Sequence, residues 1–158
     1  LPPPDLFPDN VERALSEVEV AIGPGAVSRL RMFLGKCMEA GIKPSTSPKQ
    51  WIPFKRYGLI QFDHWDEPKP HSLAMFYLLV ERQTYGLQFP VAYYYANVVG
   101  YDVDRLTGEL TDLGFRPVGK DREPRIDLRI RNDQTLFNAL FELVVRTAGE
   151  LEETLQET

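Results

Sequence analysis

Seven consecutive residues, Arg125-Ile126-Asp127-Leu128-Arg129-Ile130-Arg131, alternate charged and apolar side chains without interruption. Successive side chains of a strand point to opposite faces. The period of two therefore predicts a strand with Ile126, Leu128 and Ile130 in a core and Arg125, Asp127, Arg129 and Arg131 on the other side. A sheet with one face partly open to solvent follows. Helical periodicities elsewhere make the chain α+β.

Residues 9–22 place Val11, Ala14, Leu15, Val18, Ala21 and Ile22 at helical spacing, with Asp9 and Glu12 set for a capping box and Gly23-Pro24 as a stop. A second helix spans about 25–40, with Val27, Leu30, Phe33, Leu34, Cys37 and Met38 inward. A sheet is expected to begin near Trp51 and to include residues 59–62, followed by an open polar connection over 63–71. The run 73–80, apolar at nearly every position, fits a central strand covered on both faces. Tyr85-Gly86 reads as a turn into a strand over 87–97, where Pro90 lacks a ladder donor and favours an outer position or a bulge.

Asp102 is placed to cap a short helix ending at Gly114, and a hairpin over 115–118 and 124–131 follows. Asp133 opens a long helix reaching about Gln156, roughly 35 Å at the usual rise, whose last two turns are expected to overhang the sheet. The expected architecture is a mainly antiparallel sheet of four or five strands. Two N-terminal helices, one short inserted helix and a long C-terminal helix on one face complete it.

The 158 residues suit one domain, read as a proline-rich leader or linker over 1–8 and a single α+β domain over 9–158. Cys37 is the single cysteine and cannot form an internal disulfide, so the expected setting is a reducing, cytoplasmic one. No stretch approaches the length of apolar sequence needed to span a membrane, so no membrane partner is expected.

Charge is unevenly spread under a net −5: residues 24–58 sum to +6 and 116–131 to +3, while 1–23 sum to −4 and 132–158 to −5. Lys120, Arg122, Arg125, Arg129 and Arg131 are the candidate binding residues of the second basic stretch, which could meet phosphates by counterion release. Acidic helices offer intramolecular counterions for the same residues. Tyr93 and Tyr95 share one side of the expected strand and could anchor a partner or stack a base.

The only two histidines, His64 and His71, lie in one stretch with Asp63, Asp66 and Glu67. Asp63, His64 and His71 are weak candidates for zinc or manganese, because their spacing matches no helical chelate and a solvated loop accounts for them as well. A two-metal nuclease pattern fails at Gln83, where a lysine would follow Glu81. Neither a dinucleotide fingerprint nor a Walker loop is present in the sequence, so no cofactor is expected. Cys37 falls on an inward helix position and reads as a core thiol.

The function expected from these residues is a non-catalytic protein-interaction module, part of a larger polypeptide or assembly. It could self-associate into a dimer through Leu151 and Leu155. A nucleic-acid-binding domain is the alternative, and a metal-assisted hydrolase the third reading.

Overall fold

The computed structural model describes residues 7–44, 55–66, 69–81, 83–91, 95, 98, 100–120 and 122–156, with backbone alone at 55, 62–66, 69–74 and 155. Helices α1 (Asp9–Ile22) and α2 (Pro24–Glu39) come first. Strands β1 (Lys43–Pro44), β2 (Lys55–Asp66), β3 (Lys69–Glu81) and β4 (Thr84–Gln88) follow. Then come α3 (Val103–Asp112), β5 (Arg116–Val118), β6 (Glu123–Asp127) and α4 (Gln134–Gln156). The strands form one antiparallel sheet in the order β1-β2-β3-β4-β6-β5. The α+β class is as expected, with six strands rather than four or five; the two-residue β1 is too short to carry a period.

The helices cover one face of the sheet, and a file of aromatic rings joins the layers. Phe33 of α2 stacks on Phe76 of β3 at 5.3 Å and meets Phe137 of α4 at 6.0 Å. Phe76 stacks on Phe89 at 5.3 Å, and Phe89 meets the edge of Phe115 at 5.5 Å. Each such pair adds about 0.5–1.5 kcal/mol beyond its area burial. Residues 75–80 of β3 are buried at every position, as expected of a central strand.

Local chemistry shifts several element limits. The strand expected over 125–131 stops at Asp127, because its carboxylate accepts from Arg129 N at 2.8 Å and its carbonyl from Arg131 N at 2.9 Å. That local bonding competes with the ladder and turns the chain. Ile126 and Leu128 are buried as expected, but Ile130 is 86% exposed. Tyr85 and Gly86 lie inside β4 instead of forming a turn, and β4 ends at Gln88, short of Pro90. Glycine is needed there: a Cβ on Gly86 would lie 2.3 Å from the Ile126 carbonyl oxygen of β6.

The expected open connection over 63–71 is instead the far end of a long β2–β3 hairpin, paired from Lys55↔Val80 out to Asp66↔Lys69. The alternating polar residues there, weak as a hydrophobic signal, still form a ladder. Expectations for Trp51 lie outside the described residues.

Asp102 caps α3 as expected, accepting from Arg105 N at 2.9 Å, and Asp133 accepts from Leu136 N at 2.8 Å at the start of α4. Asp9 forms no cap; α1 starts after Pro8 without a side-chain cap, and Glu12 is drawn to Arg31 instead. The end of α4 does not overhang as expected. Leu151 is fully buried, Thr154 lies against Gly100, and the Arg146–Glu109 and Arg105–Glu150 ion pairs tie α4 to α3.

Candidate functional site

The expected basic residues divide among different surroundings. Arg125 lies on the sheet face away from the helices, its Nη1 3.6 Å from Glu81 Oε1. Arg129 bonds Asp127 at 2.7 Å, and its hydrogen bonds hold that carboxyl below the usual range. Arg131 donates to Asp133 at 3.1 Å and to the Leu113 carbonyl. Lys120 and Arg122 are exposed in the β5–β6 turn, where Arg122 adopts φ 53°. Arg125, Arg129 and Arg131 thus each carry an acidic partner, and the acids Glu81, Asp127 and Asp133 explain why one-dimensional charge sums overstate the free positive charge.

Tyr95 is fully buried and tilted against Tyr101 at 6.2 Å, so it is no platform for a base or a partner. Tyr95 carries π-helical backbone where a strand was expected, and its ring turns into the core. Tyr93 lies outside the described residues. Leu151 is spent in the chain's own core and cannot seat a second copy as expected, while the Leu155 side chain lies outside the described residues.

On the face away from the helices, register fixes an unusual arrangement. Arg56 stands level with Leu79, Gly86 and Asp127 on the neighbouring strands, yet its Nη1 lies 3.6 Å from Glu123 Oε2, four residues further along β6. In a flat sheet those backbones would be about 20 Å apart, more than an arginine and a glutamate can span. Arg125 reaches Glu81 along the same diagonal. Both ties therefore run along the diagonal that the twist of the sheet draws together, the direction in which this face is concave. Between them Gln88 is fully buried, and among the described residues neither end of its amide has a hydrogen-bond partner. Its four flanking charges cancel, so the concave face is a brace more than a charged site.

A surface groove of about 820 Å³ opens along α2, lined by Phe7, Glu12, Pro24, Val27, Ser28, Arg31, Met32, Gly35, Lys36 and Glu39. The α2 positions recur every three to four residues over four turns, so they form one stripe about 22 Å long. Its wall is fixed by α1. Glu12 takes Arg31 in a bidentate pair at 2.6 and 2.8 Å, and Arg31 also lies over the Phe7 ring at 5.7 Å. Arg31 holds the Glu12 carboxyl below the usual range.

Met32 is 49% exposed in this groove, and Lys36 Nζ lies 5.9 Å over the Phe141 ring on the α4 side. Sequence reading missed the groove because it sought only the inward stripe of α2. Met32, apolar but off that stripe, was the available signal.

Cys37, on the inward side of α2, is fully buried, and burial pushes its thiol up to about 12. It is no nucleophile at neutral pH. Asp63, His64 and His71 lie on the β2–β3 hairpin. Among the side chains described, no group of three or more His, Cys, Asp or Glu is placed to hold a metal ion. Among the described residues no helix is long and apolar enough to cross a membrane. No family model, curated protein or solved structure matches the chain.

Proposed function

We propose that this chain is a non-catalytic protein-interaction module that receives an amphipathic helix of a partner protein in the α2 groove. The observation that carries this reading is the groove itself: a four-turn stripe with Phe7, Val27 and the half-exposed Met32 as its apolar part. Its length matches a helix laid along it, and apolar anchors spaced by one turn are how such grooves are read. Lys36 and Glu39, one turn apart on the lining, favour a partner with an acidic residue opposite the first and a basic residue opposite the second.

Selection of helical peptides from a random amphipathic library against the protein tests this. Enriched peptides are expected to carry apolar residues at i, i+3 or i+4 and i+7, and to lose binding to Met32→Glu while keeping it to Lys120→Ala. Failure to enrich such peptides, or equal binding to Met32→Glu, would sink the reading. The nucleic-acid alternative has less support, since Arg125, Arg129 and Arg131 are each matched by an acid.

A further inference from the structure

We propose that Met32 is a redox switch on partner docking: a peroxide oxidises its thioether to the sulfoxide and shuts the α2 groove to an apolar helix face. The inference rests on the docking reading above and names what regulates that site. The chain holds its sulfur in Met32, Met38, Met75 and Cys37. Met75 is wholly buried, and Met38 is partly buried and packed against the core. Cys37 is wholly buried too, and its thiol, pushed up to about 12, supplies almost no thiolate for a peroxide at neutral pH. Met32, 49% exposed, is therefore the sulfur that a small oxidant reaches first.

Its place in the groove makes that oxidation consequential. Met32 lies midway along the lining stripe from Pro24 to Glu39, with Ser28 one turn before it and Lys36 one turn after. Phe7 and Val27 are nearly buried, so of these three side chains Met32 is the one a docked helix meets most fully. In the reaction the sulfur bonds to one peroxide oxygen while the O–O bond breaks. Sulfur gives up two electrons. With hydrogen peroxide, the departing hydroxide takes the proton of the transferred oxygen and leaves as water. The product sets a polar S=O group where an apolar anchor of the partner would seat, and burying it there without a hydrogen-bond donor disfavours docking.

Treating the whole folded chain with dilute hydrogen peroxide tests the proposal. Peptide mapping by mass spectrometry is expected to place the first added oxygen on Met32, with Met38, Met75 and Cys37 unchanged. Helical peptides enriched against the untreated protein should bind the oxidised protein at least about tenfold more weakly, with its circular dichroism unaltered. Met32→Leu, apolar and without sulfur, should bind them equally before and after peroxide. A first oxygen on another sulfur, undiminished binding after oxidation, a lost fold, or an equal loss of binding in Met32→Leu would overturn the switch and leave the docking reading standing. Failure to enrich any peptide against the untreated protein would instead sink the docking reading, and the switch with it.

Discussion

Gln88 is wholly inside the sheet, and both ends of its amide lack a hydrogen bond among the described residues, a cost the fold carries. Leaving a buried polar group unsatisfied costs about 1–3 kcal/mol, so Gln88→Leu, of similar size, is expected to leave stability unchanged or raise it by about 1 kcal/mol. Urea unfolding measures this. A loss greater than about 1 kcal/mol would show that the amide has a partner in solution. Single residues also decide where elements end. Asp127 stops β6 because a short carboxylate can bond the backbone two residues on, and Gly86 is the one residue type that lets β6 approach β4 so closely.

Helices α1, α2, α3 and α4 were legible from the sequence to within a residue or two, because each keeps a 3.6-residue period between a stop and a start. Strands were read less well. The period over 125–131 was real for Ile126 and Leu128, but periodicity is blind to the turn at Asp127, and it could not show that the polar stretch 63–71 pairs with itself. The groove was invisible for a related reason: it lies between Phe7 and a helix flank, and neither is marked as a surface by spacing alone. Where the cap was legible, it is testable. Asp102→Ala removes the acceptor for Arg105 N and is expected to cost about 1 kcal/mol in urea unfolding, with the α3 amides losing hydrogen-exchange protection first. An unchanged unfolding midpoint would deny the cap its role.

Across the whole molecule, acid sensitivity follows from three carboxylates held below their ordinary range. Glu12 is held there by Arg31, Asp127 by Arg129, and Asp133 first by the Leu136 N–H and then by Arg131. A carboxyl with a lowered folded-state value stabilises the fold at every pH above its unfolded value and loses that contribution as pH falls through the folded one. Urea midpoints are therefore expected to be flat near neutrality and to drop below about pH 4.5, where an unfolded glutamate begins to bind protons. Arg31→Ala should shrink the drop; an identical pH profile would show that the Glu12 pair adds nothing. The long hairpin carries a different liability. From its tip back to Phe76, β3 has no described neighbour on the side that β4 occupies further along, so a ribbon of amides and carbonyls there is free to template a stray strand. A second copy of the chain offers such a strand, so the far end of this hairpin is where two copies would zip together.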